Sequence, residues 1–349
     1  MKQRVATALP ILAFDLEVNA MSKNVFAVLV MGTCAGAPCA QSAVTVYGSM
    51  DLGMVYESGG PAGSSWNVES GVQAGSRLGF KGSEDLGNGL SANFVIEGGI
   101  AGDTGGNRPT GLTFGRQTLV GLSGPFGSVK LGRQFNLVTN ALNDVDPFGG
   151  GHEGAYSNVM FSDYRTSNGL YYTTPAVNGL TANLTWAPGE VAGSSAAKRE
   201  LGYAVEYTGG RVFAVLAHRS LNNLADTSTH KVTFAGATYD FGPFKAALGY
   251  ARNKDDIALD SRDVIVGAST TRGADSWMVS LIDHKDSSGL RQDACQAAIG
   301  YTHALSKRTN LYSSYSRLRN DNGAPFTVGN AVESGSGTRG LALGMYHKF

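Results

Sequence analysis

The chain has 349 residues, no formal net charge, 16% charged residues, 48 glycines and 10 prolines. It is too apolar and too evenly charged for a disordered protein, and it lacks the basic excess or charged tail that would favour nucleic acid as a partner. Its length allows two domains or one all-β barrel, since such barrels reach roughly 200–250 residues or more as single units.

The first 40 residues differ from the rest and have the layout of an export signal. A basic start, an apolar run over 25–31 and small residues ending at Ala40 predict a cleaved secretory signal peptide over 21–40. Residues 1–20 are interrupted by acidic side chains and make a poor apolar core. Translation is therefore expected to begin at Met21.

Cleavage after Ala40 has two alternatives, because the small-residue pattern before it is imperfect: the signal can also end at Ala37 or Cys39. Its removal leaves Cys295 as the single cysteine, which excludes an internal disulfide and a cysteine metal site. No later stretch approaches the ~20 continuous apolar residues of a membrane-spanning helix. Any membrane crossing must then be made by strands.

The remainder, residues 41–349, alternates apolar and polar residues with a period of two from end to end. In the first such segment Val44, Val46 and Met54 share one face, and polar residues share the other. This period is typical of strands and not of helices. The same alternation recurs at 90–97, 180–186, 244–250 and 341–349.

The links between these strands come in two lengths. Seven tight links rich in turn formers are predicted at 83–89, 123–127, 175–179, 208–210, 241–243, 271–275 and 305–309. Eight longer polar links are predicted at 57–70, 101–112, 139–164, 188–199, 221–229, 253–260, 284–290 and 320–338. They join sixteen strands, with short turns on one rim and long loops on the other, which is typical of bacterial transmembrane barrels.

A membrane barrel fits the strands better than a soluble sandwich. Strands of roughly 9–11 residues suit a tilted crossing of a ~30 Å hydrocarbon layer. The less apolar face carries Ser, Thr, Asn, Asp, Lys, Arg and Gly, so we expect it to face water. We therefore predict one all-β, 16-stranded antiparallel transmembrane barrel, in which the last strand pairs with the first and leaves no exposed edge.

Several stretches carry a family resemblance, among them "QSAVTVYGSMDLG", "SRLGFKGSEDLGNGLSANFVIE" and "GRQTLVGLSGPFGSVKLGRQ", together with the terminal aromatic Phe349. The chain resembles the trimeric general porins of beta-proteobacterial outer membranes. The resemblance implies a homotrimer with one pore in each subunit, surrounded by outer-membrane lipid and lipopolysaccharide. It also implies that the outer-membrane assembly machinery recognises the last strand by Phe349.

The resemblance further implies that the third long loop folds into the barrel and narrows the pore. The matching constriction residues are Asp144, Asp146 and Glu153 of the loop and the wall arginines Arg77, Arg116, Arg133 and Arg165. Opposed rows of fixed charge of this kind orient hydrated solutes and select ions by sign.

Strand alternation supports some of these assignments and opposes others. The apolar residues around 78–80 point outward, so Arg77 is expected in the lumen. Strict alternation instead places Arg116 and Arg133 outside, where an arginine costs about 2–4 kcal/mol at the membrane midplane. Either a bulge at Gly132 re-aims the chain, or these residues lie beyond the apolar belt.

The predicted function is passive diffusion of small hydrophilic solutes and ions, with a weak preference for anions. The alternative is a channel that prefers one substrate, and it would show an aromatic ladder in the lumen. No G-x-S-x-G motif supports a barrel enzyme, so neither catalysis nor a cofactor is predicted. Asp144 and Asp146 suit either a solvated loop or calcium, and His152 suits either an inert or a titrating loop residue.

Overall fold

The computed structural model describes residues 43–160, 163–329 and 337–349. The signal peptide predicted over 21–40, its cleavage site and the start at Met21 lie outside the described residues. Within the described ranges, no helix is long and apolar enough to cross a membrane.

The described residues form eighteen β-segments, one α-helix and one turn of 3-10 helix. In chain order they are β1 (Ala43–Gly60), β2 (Gly63–Ser70), β3 (Arg77–Gly87), β4 (Leu90–Ala101), β5 (Gly106–Arg108), β6 (Gln117–Gly124), β7 (Gly127–Phe135), α1 (Leu137–Val145), the 3-10 turn (Tyr156–Asn158), β8 (Arg165–Thr173), β9 (Leu180–Ala187), β10 (Glu200–Gly209), β11 (Val212–Asn222), β12 (Thr229–Asp240), β13 (Lys245–Lys254), β14 (Asp260–Arg272), β15 (Asp275–Asp286), β16 (Ala294–Ala304), β17 (Thr309–Asn320) and β18 (Arg339–Lys348).

Two of the barrel strands are interrupted. Segments β2 and β3 pair in turn with the two halves of β1, so they form one strand that is broken at 71–76. Segments β5 and β6 both pair with β4 and form a second strand, broken at 109–116. Every pairing is antiparallel, and β1 pairs with β18, so the eighteen segments make a closed barrel of sixteen strands. The predicted fold is confirmed.

The barrel closes along a seam between its first and last strands. The register runs from Ser49 opposite Lys348 to Ser58 opposite Arg339. Next to the Ser49–Lys348 pair, at the end of the chain, Phe349 exchanges two backbone hydrogen bonds of 3.1 Å with Gly48. No edge is left unpaired at this seam, which is the condition for a sheet to stand in hydrocarbon. The half-exposed Phe349 ring lies at the short-turn rim.

The loop predicted over 57–70 is wrong. Strands β1 and β2 continue through it and are joined by residues 61–62 alone. Trp66 and Val68 are exposed and alternate with less exposed neighbours, but the many Ser and Gly residues around them hide this period in the sequence. The loop predicted over 101–112 also contains strand, because β5 lies within it.

The outward face is apolar, as predicted. Val44, Val46 and Met54 are more than half exposed on one face of β1, while Asp51 on the other face is buried. The inner face is not polar throughout. From β10 to β17 it carries buried apolar side chains, including Ala204, Val215, Phe234, Ile265 and Ile282.

The apolar inner wall is covered by the segment between β7 and β8, which we call the inner loop (residues 136–164). Helix α1 packs against β10 to β13 through Leu137, Val138, Ala141, Leu142 and Val145. Burial of each large apolar side chain of this kind contributes about 1.5–3 kcal/mol. The inner loop therefore lies against the wall and occupies part of the lumen.

Candidate pore constriction

The inner loop leaves and re-enters the wall at one point. Asn136 caps α1, because its Oδ1 accepts the backbone N–H of Thr139 at 2.8 Å. The Asn136 side-chain amide donates to the carbonyl of Asp163, and its backbone N–H donates to the carbonyl of Tyr164 at 3.0 Å. The two ends of the loop are thus bonded to each other beside β7 and β8.

The far side of the inner loop is bonded to strand β16. Gln296 is fully buried, and its Nε2 donates to the carbonyls of Gly154 at 3.1 Å and Ala155 at 3.2 Å. Its Oε1 accepts from Asn158 Nδ2 at 2.9 Å. One glutamine therefore makes three hydrogen bonds that hold the loop across the lumen.

Asp146 shapes the inner loop from within. Its carboxylate is buried and accepts the backbone N–H groups of Phe148 at 3.1 Å, Gly150 at 3.0 Å and Tyr156 at 3.4 Å. Burial raises its pKa to about 6, against the effect of these bonds. The same bonds engage the oxygens that a calcium ion would need. Asp146 borders a cavity of the lumen, but its carboxylate is buried and bonded within the loop, so it does not supply the exposed acidic lining that the resemblance implies.

The other two loop carboxylates have opposite surroundings. Glu153 is only 2% exposed, and its carboxylate lies against Gly340 of β18. Asp144 is exposed, and partial burial raises its pKa while nearby Lys245 lowers it. Asp144, Lys245 and Arg77 line one cavity of about 720 Å³. Of the three predicted acids, Asp144 alone is exposed there.

Arg77 faces the lumen, as alternation predicts. It begins β3, and its Nη2 donates to the hydroxyl of Tyr346 at 3.5 Å. Its guanidinium borders the same cavity as Asp144. The cavity thus has an arginine on the barrel wall and a carboxylate on the inner loop.

Arg116 also reaches the lumen side, contrary to strict alternation. Its Nε bonds Glu97 Oε1 at 2.8 Å, and Glu97 Oε2 accepts the hydroxyl of Tyr47 at 3.0 Å. Glu97 belongs to the inward row of β4, because Phe94, three positions earlier and so on the opposite face, pairs with the outward Val120. Alternation fails because the strand is broken at 109–116, so the phase of β6 does not extend back to Arg116.

Arg133 faces outward, so its predicted place in the pore is wrong. Leu131 is 54% exposed and pairs with Val120, and Arg133 pairs with Thr118 two positions on. Alternation is therefore unbroken along β7, and both residues share its outer face. Arg133 Nε donates to the carbonyl of Gly115 at 2.8 Å, so the side chain holds the backbone of the broken strand.

The expected bulge does lie beside Gly132, but it acts on the neighbouring strand. Gly132 is opposite Gly169, and Gln134 is opposite Thr166, so the extra residue belongs to β8. Asn168 adopts a left-handed conformation within this bulge, with φ of 56°. The bulge re-aims β8 and leaves the phase of β7 unchanged.

Arg165 lies on the same outer face as Arg133. Its cross-strand partner Phe135 follows Arg133 by two positions, and its guanidinium stacks 4.3 Å from the Phe135 ring centroid. Its Nε donates to the carbonyl of Arg116 at 2.8 Å. The four arginines are therefore neighbours, yet two serve the lumen and two hold the strand break from outside.

The comparisons with known proteins agree with this architecture. The sequence profile described as Gram-negative porin matches residues 26–323. The chain belongs to the Gram-negative porin family. It is similar to outer membrane porin protein 32 of Delftia acidovorans, with 31% identity over 94% of this chain and 100% of that protein. It is also similar to an outer membrane porin protein of Bordetella pertussis, with 30% identity over 86% of this chain and 95% of that one.

Solved structures share the fold. An anion-selective porin from Comamonas acidovorans superposes with a TM-score of 0.78 and 29% identity, over 88% of this chain and 100% of that one. OmpF of Salmonella typhi superposes with a TM-score of 0.69 at 19% identity, which shows the barrel fold. This porin therefore forms a water-filled channel through the outer membrane of a Gram-negative bacterium.

Lysines add positive charge to the lumen of this porin. Lys245 and Lys348 border the cavity with Arg77. Lys81 lies four residues after Arg77 on β3 and so shares its face. Its Nζ is 5.2 Å from the Tyr47 ring centroid. Lys348 and the Arg116 counter-ion Glu97 were not singled out from the sequence, although the alternation that places Arg77 would have placed both.

His152 is an uncharged part of the inner loop. It is 7% exposed, and its ring meets those of Phe148 and Tyr312 edge-on at 6.0 and 5.2 Å. Burial lowers its pKa to about 4, so the imidazole is neutral at physiological pH. Of its two readings from the sequence, the inert one fits this environment.

Proposed function

We propose that this porin is a general diffusion channel with a preference for anions. The observation that carries the proposal is the burial of Asp146 and Glu153, which leaves Asp144 as the one exposed acid among the three predicted at the constriction. Arg77 and two lysines border the same cavity. Fixed positive charge in a narrow, water-filled passage raises the local concentration of anions and repels cations.

Reversal potentials across a planar bilayer in a KCl gradient test this proposal. We expect the parent channel to give an anion-selective potential and Arg77→Ala to shift it toward cations. Arg133→Ala is the matched control, because it removes the same charge from the outer face and should leave the potential unchanged. A parent potential of cationic sign, or equal shifts in both variants, would contradict the proposal.

We further propose the native assembly as a homotrimer that transports solutes passively and catalyses no reaction. The resemblance to trimeric beta-proteobacterial porins supports the trimer, and the exposed Phe349 at the seam is accessible as an assembly signal. Mild-detergent extraction should give a species of about three chains by native mass measurement. A purely monomeric species under the same conditions would oppose this assembly.

We also propose that the exported chain is cleaved after Ala40. The first described strand begins at Ala43, which leaves a short lead into the barrel. Terminal sequencing of protein from outer membranes should give Gln41 as its first residue. A start at Pro38 or Ala40 would move the cut to one of the alternative ends.

A further inference from the structure

A second cavity lies on the long-loop side of the lumen, and we call it the loop-side cavity. Its volume is about 620 Å³, within the range of roughly 300–1,000 Å³ that is usual for small-molecule sites. The ends of β13, β14 and β15 form one wall, and the inner loop and the links 255–259, 287–293 and 321–329 form the rest. It shares no lining residue with the cavity at the constriction.

The polar wall of the loop-side cavity is built on one buried carboxylate. Asp263 of β14 is fully buried, and its two oxygens accept from Asn253 Nδ2 at 2.7 Å and from His284 Nδ1 at 2.5 Å. Asn253 and His284 lie on the flanking strands, and both border the cavity. Because an ionised carboxylate only accepts hydrogen bonds, the neutral His284 ring carries its proton on Nδ1 and keeps Nε2 as an acceptor.

Asn253 has an unused acceptor at this wall. The residue is 5% exposed, and its Nδ2 is bonded to both Asp263 and the Ser261 hydroxyl. Among the described residues, nothing donates a hydrogen bond to its Oδ1. A buried carbonyl without a donor costs about 1–3 kcal/mol. A ligand that brings a donor into the cavity would recover this free energy.

The loop-side cavity is negatively charged. Its described lining residues include the carboxylates of Asp163, Asp255 and Asp286 but no lysine or arginine. Asp163 pairs with Arg219 at 2.7 Å, yet Arg219 also pairs with Glu200 at 2.8 Å, so one guanidinium is shared by two carboxylates. The cavity at the constriction has the opposite character, because an arginine and two lysines border it. Cations are therefore favoured on the loop side.

The rest of the lining is apolar. Met160 of the inner loop and Leu259 and Leu290 of the long loops border the cavity, and Leu290 is 69% exposed. The Phe326 ring meets the His284 ring with 4.8 Å between centroids. Aliphatic and aromatic surface of this kind packs against an aromatic ligand, and a ring face also attracts a cation. A small inorganic cation would leave this surface uncovered.

We propose that the loop-side cavity binds organic cations in which an ammonium group is joined to an aromatic body. The charged groups of the lining, Asn253 Oδ1 and His284 Nε2 are all acceptors, and an ammonium group has three donors and no acceptor. The aromatic body covers Leu259, Leu290 and Phe326. The bound cation stays on the loop side, because the positive charge at the constriction opposes its passage.

Calorimetric titration of the full-length protein in detergent tests this site. The probe is naphthylethylamine, its neutral counterpart is naphthylethanol, and each is also titrated into detergent alone. At about pH 8 a primary amine is charged and an ordinary histidine is neutral. We expect the parent to bind the amine about tenfold more tightly than the alcohol. Equal affinities for the two ligands would overturn the proposal.

Asp255→Asn tests the charge of the lining. Its amide oxygen can still accept the backbone N–H groups of residues 257–259, which the carboxylate accepts in the parent. We expect about fivefold weaker binding of the amine and unchanged binding of the alcohol. Asp226→Asn is the matched control, because it removes an exposed carboxylate from the neighbouring long loop, outside the cavity. Equal losses in the two variants would overturn the proposal.

Phe326→Ala tests the apolar part of the same site. It removes a ring without changing any charge, so the amine and the alcohol should both bind about fivefold more weakly. Unchanged affinity for the amine would place the ligand outside the loop-side cavity and overturn the proposal.

The titration requires no current through the channel. A parent that conducts no ions would contradict the proposed channel function and would leave the binding result interpretable. The two proposals can therefore fail separately.

Discussion

Asp144 and Asp146 are two positions apart in the inner loop, yet they act on different properties of the channel. Asp144 is exposed in the cavity that Arg77 and Lys245 border, so its charge acts on ions. Asp146 is buried and accepts three backbone N–H groups, so its charge acts on the loop. Substitution at each position should therefore change one measurement and not the other.

We expect Asp146→Ala to lower the thermal unfolding midpoint in detergent. It leaves three buried N–H groups without their acceptor, and each unmet group costs about 1–3 kcal/mol. Asp144→Ala is the matched control: it should leave the midpoint unchanged and increase the anion preference of the reversal potential. A loss of stability in Asp144→Ala as large as that in Asp146→Ala would contradict these separate roles.

The pH dependence of stability should show the titration of Asp146. Its folded-state pKa of about 6 lies above the ordinary value of 3.8, so the folded protein binds this proton more tightly than the unfolded chain. The contribution of Asp146 to stability therefore rises as pH falls through about 6 and is lost again as pH increases. The side chain of Asp146→Asn cannot bind this proton. As pH falls from about 7.5 to 4.5, the thermal unfolding midpoint of the parent should therefore rise relative to that of Asp146→Asn. A constant difference between the two proteins would contradict the assignment.

At the scale of strands and loops, the features that could be predicted from the sequence are those that depend on the local alternation of apolar and polar residues. The strands and most links follow from the period-two pattern, and the Arg77 assignment follows from the phase of β3. Arg116 could not be placed in this way, because the break at 109–116 resets the phase. A loop was predicted over 57–70, and the strands there were missed, because the Ser and Gly residues weaken the contrast between the faces of β1 and β2.

The attachment of the inner loop is a property of two distant elements and is testable as such. Gln296→Ala removes the three hydrogen bonds that hold residues 154–158 to β16. We expect a higher single-channel conductance with more frequent fluctuations, because the loop can then move away from its position in the lumen. Gln292→Ala is the control, since its side chain bonds Gly323 in an exposed loop and should leave the conductance unchanged. Identical current records for both variants would exclude this role of Gln296.

For the whole molecule, the closed barrel wall separates the wall arginines that the family resemblance assigns to one constriction. The four arginines are neighbours in space, but the sheet separates Arg77 and Arg116 on the lumen side from Arg133 and Arg165 on the outer face. Closure itself was predictable, because it follows from sixteen repeated strands. The sides of the arginines and the burial of the loop acids depend on a strand break, a bulge and hydrogen bonds to the far wall, none of which a local pattern encodes.

The most direct test of this division is chemical modification of single cysteines during current recording. Cys295→Ser provides the background, since Cys295 is the free cysteine of the described residues. In that background Arg77→Cys or Arg133→Cys is exposed to a bulky, water-soluble, negatively charged thiol reagent on an open channel. The structure predicts a clear fall in current for the cysteine at 77 and no change at 133. A fall at 133, or an unaffected current at 77, would contradict the assignment of the lumen.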